Sequence, residues 1–246
     1  MAEGADVEQV PVVLGHRGAP RAARENTLEA FRLATALGAD GVELDARRSA
    51  DGVVVVHHDA VAEGVGVLVE HAAAEIQARR PDIPTLDEAL DACEGIVNVE
   101  VKNFPTEPDY DPDERVAADV VELVGRRAMR DRVIVSSFTT GPLDRVHAID
   151  PSIATGWLTL PSFAVADAVP LAASRGYVAV HAERRAVVVD PVGVVAVAHD
   201  AGLRVHVWTV DDPDELRVLA AAGVDAVITN VPDVARRALR PPAPRS

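Results

Sequence analysis

The sequence predicts an α/β fold, a (β/α)8 TIM barrel with a small insertion after the second strand. Short runs rich in Val and Ile alternate with longer segments of helical spacing, which indicates βα units around a parallel sheet. About eight such runs occur, and a parallel sheet of eight strands closes into a barrel. The length of 246 residues is also typical of an α/β barrel. We therefore expect a single barrel domain over 1–246.

The predicted strands are separated by segments long enough for a helix. They cover residues 12–15, 41–45, 96–102, 133–136, 153–157, 177–180, 204–208 and 225–228. The alternation breaks over 51–84, where an extra strand at 53–57 and scattered glycines and charges predict the insertion. We expect flexible tails at 1–9 and 240–246, the second of which contains three prolines.

Helix starts are predicted where a capping residue precedes a Glu by three positions. The pairs are Thr85 with Glu88, Asp212 with Glu215, and Asn26 with Glu29. Glycines follow several of the helical segments, at Gly38, Gly202 and Gly223, where a left-handed residue would end the helix before the next strand.

The charge of the chain limits its partners. Lys and Arg number 24 against 39 Asp and Glu, a formal net charge of -15. This acidic balance argues against nucleic acid or anionic lipid as a partner, and an anionic substrate would need local cations. The single cysteine, Cys93, cannot form an intramolecular disulfide and is expected to be a packing residue.

The first ten residues lack the basic start and apolar run of a signal peptide. No apolar stretch reaches the roughly 18 residues that a transmembrane segment needs. We expect a soluble, cytoplasmic protein, and the sequence leaves its oligomeric state open.

Acidic residues stand at the end of the second predicted strand. Glu43 and Asp45 share one face because strand side chains alternate. Two inward carboxylates repel each other unless a cation or hydrogen-bond donors compensate them. One remedy is a bound metal; the other is an ion pair with Arg47 or Arg17 at the barrel rim.

The third predicted strand favours the metal. Asn98, Glu100 and Lys102 share a face, so Glu100 would converge with Glu43 and Asp45. Three carboxylates form the oxygen ligand set expected for one divalent cation, Mg²⁺ or Ca²⁺. Lys102 could hold a phosphate oxygen or merely neutralise Glu100.

Two histidines are candidates for acid and base. His16 lies between Gly15 and Gly18 at the end of the first strand, and His58 ends the extra strand beside Asp59, a possible orienting partner. Imidazole titrates near neutral pH, which suits proton transfer.

Other aromatic and histidine residues are weaker candidates. His57 should face away from His58. His206 and Trp208 share a face of the seventh strand, and Trp208 could be an apolar wall for substrate or a buried core residue.

The motifs together resemble the glycerophosphodiester phosphodiesterase family, and the resemblance runs along most of the chain. Their order and spacing are more specific than any single motif. They are Gly15-His16-Arg17-Gly18, Glu25-Asn26-Thr27, Gly41-Val42-Glu43-Leu44-Asp45, His58-Asp59, Ile83-Pro84-Thr85-Leu86, Val99-Glu100-Val101-Lys102, Ser136-Ser137-Phe138, Trp208-Thr209-Val210, Gly223-Val224-Asp225, Ile228-Thr229-Asn230 and Pro232-Asp233.

The resemblance implies a small-molecule glycerophosphodiester substrate and sn-glycerol 3-phosphate as product. A glycerol hydroxyl would attack phosphorus, and water would open the resulting cyclic phosphate. The implied roles are metal binding by Glu43, Asp45 and Glu100, acid and base catalysis by His16 and His58, and phosphate binding by Arg17 and Lys102.

The chain departs from the family pattern at two places. Residues 60–66 lack the Arg-Thr-Thr stretch that many members carry, and Asn230 stands where Asp is frequent, at a position we expect to be a turn with little effect. Two alternatives stay open: a lysophospholipase D-type enzyme acting on lipids, and a non-catalytic barrel that binds phosphodiesters.

Overall fold

Residues 10–240 are described by the computed structural model, and eight of their strands form a closed parallel barrel. The predicted fold is confirmed. In chain order the strands are β1 (Val12–His16), β2 (Gly41–Arg48), β3 (Val54–Val56), β4 (Val61–Ala62), β5 (Gly66–Val67), β6 (Ile96–Val101), β7 (Val133–Ser137), β8 (Ala154–Thr159), β9 (Ala179–Glu183), β10 (Arg204–Trp208) and β11 (Ala226–Thr229).

The barrel consists of β1, β2 and β6 to β11. Each of these strands pairs in parallel with its neighbours, and β11 pairs with β1 to close the ring. In this register His16 lies opposite Glu43, and Asp45 lies opposite Glu100. The pairing therefore brings residues from three strands together at the C-terminal end of the barrel, where (β/α)8 enzymes have their active sites.

Helices surround the barrel and bury its outer face. Strand residues such as Val42, Leu44 and Val99 are fully buried in the main core between strands and helices. The helices are α1 (Leu28–Ala36), α2 (Ala73–Arg79), α3 (Leu86–Ala92), α4 (Arg115–Arg126), α5 (Thr140–Ile149), α6 (Val165–Ser174), α7 (Arg184–Val187), α8 (Pro191–Asp200), α9 (Pro213–Ala221) and α10 (Pro232–Ala238).

Residues 51–84 contain β3, the β4–β5 hairpin, a 3-10 turn at Leu68–Glu70, and α2. Strand β3 pairs antiparallel with the end of β2. A second, smaller core that includes Val55, Leu68 and Ile76 holds the segment together. The segment therefore packs beside the C-terminal end of β2, next to the carboxylates.

One predicted strand is displaced in the structure. Strand β9 covers Ala179–Glu183, whereas the apolar run predicted 177–180. The second half of β9 contains His181 and Glu183, which are buried although they are polar. The apolar signal failed because these strand residues face the barrel interior instead of a hydrophobic layer.

The predicted helix starts have three different outcomes. Thr85 and Glu88 form the reciprocal capping box. Asp212 caps α9 through the backbone N–H groups of Asp214 and Glu215, while the Glu215 carboxylate accepts a hydrogen bond from Arg184 at 2.7 Å. The start predicted at Asn26 is wrong, because Thr27 caps α1. Asn26 itself has a positive φ of 56°.

The predicted tails lie outside the described residues, except for residue 240. Within 10–240, no helix is both long and apolar enough to cross a membrane.

Gly41 provides a stability test of the barrel closure. A Cβ at this position would lie 2.0 Å from the backbone oxygen of Ile96, so Gly41→Ala has to push β2 away from β6. We expect a loss of at least about 1–3 kcal/mol in the free energy of unfolding, measured with urea.

Gly125→Ala is the matched control for Gly41→Ala. Its Cβ would meet only the flexible end of Arg130 at 3.0 Å, and alanine is favoured in a helix by up to about 1 kcal/mol. Equal stabilities of the two variants would contradict the close approach of β2 and β6.

Candidate functional site

A cavity of about 110 Å³ opens at the C-terminal end of the barrel. It contains seven of the eight residues that the sequence singled out; the eighth, Asp45, is fully buried beside them. The lining residues are His16, Arg17, Glu43, His58, Asn98, Glu100, Lys102, Phe138, Leu158, Trp208 and Ile228.

Three buried carboxylates form the base of the cavity. One oxygen from each of Glu43, Asp45 and Glu100 lies within 4.8 Å of the others. Burial raises the pKa of Glu43 to about 8 and that of Glu100 to about 7. Burial also acts to raise the pKa of Asp45, but the adjacent Lys102 and Arg17 lower it below its ordinary value. The three carboxylates therefore repel one another when ionised, and a further cation would reduce this repulsion.

Two cations contact these carboxylates. Arg17 Nε lies 3.1 Å from Asp45 Oδ2, and the Arg17 backbone N–H donates to Glu43 at 2.9 Å. Lys102 Nζ lies 3.0 Å from Asp45 Oδ1 and also contacts Glu100. The ion pair considered for Arg17 therefore exists, as does the neutralising contact of Lys102.

The residues fit a divalent cation. When all three carboxylates are ionised, the two cationic side chains leave one negative charge in excess within a buried cluster. Among the residues 10–240, no hydrogen-bond donor reaches Glu43 Oε1. Carboxylate oxygens are the ligands that Mg²⁺ and Ca²⁺ prefer. A metal bound by Glu43, Asp45 and Glu100 would also leave the site with a positive charge for an anionic substrate.

Asn26 supports the cluster, a role that the sequence reading missed. Its side-chain amide donates to Asp45 Oδ2 at 2.7 Å, and only 4% of the residue is exposed. The left-handed backbone of Asn26 and of Arg17 turns both residues toward β2. The Glu25-Asn26-Thr27 motif was the available signal, but capping chemistry alone placed Asn26 on the helix.

His16 lies at the end of β1 with its two nitrogens in different surroundings. Nδ1 is 2.8 Å from Asn230 Oδ1, and Nε2 is 4.0 Å from Glu43 Oε2. Burial and the charge of Arg17 lower the pKa of His16 below its ordinary value. A neutral imidazole with Nε2 toward the carboxylates can accept a proton inside the cavity.

His58 lines the same cavity from the segment that follows β3. Its Nδ1 is 2.7 Å from Asp59 Oδ1, so Asp59 is the orienting partner that the sequence suggested. Burial lowers the pKa of His58, and the charges of Lys102 and Arg17 act in the same direction. His57 does not line this cavity; it borders a separate one of about 310 Å³ that also touches His58.

Arg47 fixes the backbone at His58 instead of pairing with the carboxylate cluster. Its Nε donates to the His58 carbonyl oxygen at 2.8 Å. Its other nitrogens donate to Glu107 and to Asp109, at 2.6 Å for the latter, and only 1% of the side chain is exposed. Arg47 thereby connects β2 with two loops at the mouth of the cavity.

An aromatic wall closes one side of the cavity. Trp208 and Phe138 meet edge to face with their ring centroids 5.4 Å apart. The indole N–H of Trp208 donates to the His181 carbonyl oxygen at 2.9 Å, so the hydrogen-bonding group of the ring is satisfied within the protein. Phe138 was missed as a site residue, although its Ser-Ser-Phe motif was visible in the sequence.

Known proteins resemble this chain along most of its length. Residues 16–234 match the model of the glycerophosphoryl diester phosphodiesterase family. A glycerophosphodiester phosphodiesterase of Caldanaerobacter subterraneus is 26% identical over 90% of this chain and 95% of that protein. A solved glycerophosphodiester phosphodiesterase of Thermotoga maritima has 29% identity and a TM-score of 0.79, covering 93% of this chain and 98% of the other.

A further solved relative carries a ligand. It is a phosphodiesterase of Oleispira antarctica in complex with the product sn-glycerol-3-phosphate, 26% identical with a TM-score of 0.79, covering 93% of this chain and 96% of the other. With a family match along most of its length and a barrel that superposes on members of that family, this chain belongs to the glycerophosphoryl diester phosphodiesterase family and is an enzyme of that class.

Proposed function

We propose that this enzyme hydrolyses water-soluble glycerophosphodiesters to sn-glycerol 3-phosphate and an alcohol, in a reaction that depends on one divalent cation. The observation that carries the proposal is the presence of three buried carboxylates and two histidines around one small cavity. The product bound to the Oleispira antarctica phosphodiesterase supports the choice of substrate.

The cation, Mg²⁺ or Ca²⁺, would be held by Glu43, Asp45 and Glu100. When bound, it would supply Lewis-acid stabilisation of the charge that develops on the phosphoryl oxygens. Arg17 and Lys102 would then bind the phosphate, since both already stand at the edge of the cluster with their charges toward the cavity.

In the first step the substrate's own glycerol hydroxyl attacks phosphorus. His16 Nε2 takes the hydroxyl proton as the new O–P bond forms, and His58 gives a proton to the departing alcohol as its P–O bond breaks. Burial lowers the pKa of His58, but the Asp59 carboxylate acts to raise it, whereas Nδ1 of His16 meets only the neutral amide of Asn230.

In the second step a water molecule opens the cyclic phosphate. His58 takes the proton of this water, and His16 returns its proton to the glycerol oxygen, which restores both rings. The aromatic wall of Trp208 and Phe138 excludes bulk water from one side of the reacting phosphate and contacts the carbon chain of the substrate.

The small cavity favours a compact substrate over a lipid. Its volume of about 110 Å³ is below the roughly 300 Å³ at which pockets for larger organic ligands begin. The glycerophosphoryl group would fill it, and the leaving alcohol would extend toward the opening beside His58.

Removal of the metal tests whether the reaction requires it. Protein stripped with EDTA should not release glycerol 3-phosphate from glycerophosphocholine, and Mg²⁺ or Ca²⁺ should restore release. Glu43→Gln should lower kcat/KM by at least about 100-fold even with metal, since groups that merely orient ligands already contribute about 10- to 100-fold. The exposed Glu122→Gln is the matched control and should behave as the parent. Full activity of the stripped protein would refute metal dependence.

Stability without metal should fall as pH rises. Glu43 and Glu100 keep protons in the folded protein that the unfolded chain releases near pH 4.5, so the folded state binds more protons between that value and about 8. Between about pH 6.5 and 8, where the buried histidines with lowered pKa are neutral in both folded and unfolded states, the melting temperature of metal-stripped protein should therefore decrease. Metal at 100 times its Kd should restore about 2.7 kcal/mol, roughly 5–10 °C.

The same melting experiment has an internal control. Glu43→Gln should melt at a higher temperature than the stripped parent at the upper end of the window and should lose most of the shift on adding metal. Glu122→Gln should keep both responses. A parent protein whose melting temperature ignores metal throughout the window would count against the carboxylate site.

The pH dependence of kcat/KM should be bell-shaped at saturating metal. Because the pKa of His16 is lowered, the rising limb should have its midpoint below the ordinary histidine value of 6.5. A bound cation would shift this limb in the same direction. A flat profile from about pH 5 to 9 would contradict acid and base catalysis by the two histidines.

A further inference from the structure

Asn230 is held by a second carboxylate behind the catalytic cavity. Its side-chain amide nitrogen donates to Asp211 Oδ2 at 2.8 Å, and its backbone N–H donates to Asp211 Oδ1 at 2.8 Å. Thr229 Oγ1 also donates to Asp211 Oδ1, at 3.1 Å. Asp211 follows β10 and Asn230 follows β11, so two adjacent loops are joined immediately behind His16.

These contacts determine which way the Asn230 amide faces. An ionised carboxylate only accepts hydrogen bonds, so the NH₂ group of Asn230 has to face Asp211 and its carbonyl oxygen has to face His16. That oxygen lies 2.8 Å from His16 Nδ1 and can only accept. His16 Nδ1 must therefore carry a hydrogen, and in the neutral ring Nε2 is left without one.

We propose that Asp211 and Asn230 act as a positioning pair for His16: Asp211 fixes the orientation of the Asn230 amide, and the amide fixes the imidazole tautomer whose bare Nε2 faces the cavity. The inference rests on the proposed function in taking His16 as the base. It adds two residues that never contact the reacting atoms, and it gives Asn230 a role beyond that of a turn.

The chemistry of the pair explains why both members are needed. An amide offers a donor and an acceptor at nearly equal reach, so Asn230 alone could turn its NH₂ toward His16 and select the opposite tautomer. Asp211 prevents this because the turned amide would place its carbonyl oxygen against a carboxylate. Asp211 reaches His16 only through Asn230, so its carboxylate orients the imidazole without forming an ion pair with it.

The test exchanges the carboxylate at position 211 with the amide at position 230. Asp211→Asn removes the constraint on the amide, and Asn230→Asp places two carboxylates in contact. The double variant Asp211→Asn/Asn230→Asp again offers a donor at 211, a partner for it at 230, and an acceptor toward His16. The exposed Asp214→Asn in the first turn of α9 is the matched control.

Two readouts separate positioning from structural support. The ¹⁵N chemical shifts of the His16 ring, assigned by comparison with His16→Asn at mildly alkaline pH, report the tautomer directly and need no turnover. Steady-state kinetics with glycerophosphocholine at saturating metal separate kcat from KM, and thermal unfolding reports folding of each variant.

We expect Asp211→Asn to give a mixture of tautomers and to lower kcat by about 10- to 100-fold with KM changed less than about threefold. The double variant should recover the parent tautomer and, at a pH above the rising limb, most of kcat, because a carboxylate at position 230 raises the pKa of His16. Asn230→Leu keeps the side-chain size but has no acceptor, so it should lower kcat by a similar factor. It replaces Asp211→Asn as the test if Asp211→Asn folds poorly.

The opposite results would overturn the inference. An unchanged His16 tautomer in both Asp211→Asn and Asn230→Leu would refute the positioning role, whatever the activity. A double variant no better than Asp211→Asn in both tautomer and kcat would assign the contacts to loop stability alone. Failure of the proposed function would instead appear as a parent protein without turnover, which leaves the tautomer readout intact.

Discussion

The burial of three carboxylates at one end of the barrel is the constraint on which the rest of the site depends. Glu43, Asp45 and Glu100 are close enough that burial and mutual repulsion keep the pKa of two of them near neutrality. Arg17 and Lys102 compensate only part of this charge. The residual negative charge suits a divalent cation, and a cation bound there would make the site locally positive for the anionic phosphodiester that we propose as substrate.

Residues in the loops around the cluster fix its charged side chains and the two histidines in position. Asn26 lies before the helix that its sequence suggested it would cap, and its side-chain amide donates to Asp45. Arg47 anchors the His58 backbone to acidic residues of the β6–α4 loop, so the second histidine is fixed through its main chain. His16 is instead fixed through its ring, by Asn230. The two histidines thus have different partners, an amide and a carboxylate, which matches the opposite roles proposed for them.

Much of this was readable from the chain because the relevant rules are local. Strand alternation placed Glu43 with Asp45 and Glu100 with Lys102 on shared faces, and eight apolar runs predicted the barrel. The capping chemistry of Thr85 was also correct. Where local rules conflicted with the interior, they failed: Asn26 was read as a helix cap, and β9 was displaced because its interior residues His181 and Glu183 are polar.

The sequence by itself determined the fold class and seven of the residues that line the cavity, since periodicity and ordered motifs depend only on neighbours along the chain. The tertiary structure alone decided which groups meet across it. Asp211 and Asn230 are 19 positions apart, and Asn230 and His16 are 214 apart. The first contact follows from the pairing of β10 with β11, and the second from closing the barrel between β11 and β1. The contact of Asn230 with His16 therefore exists only once that closure has occurred.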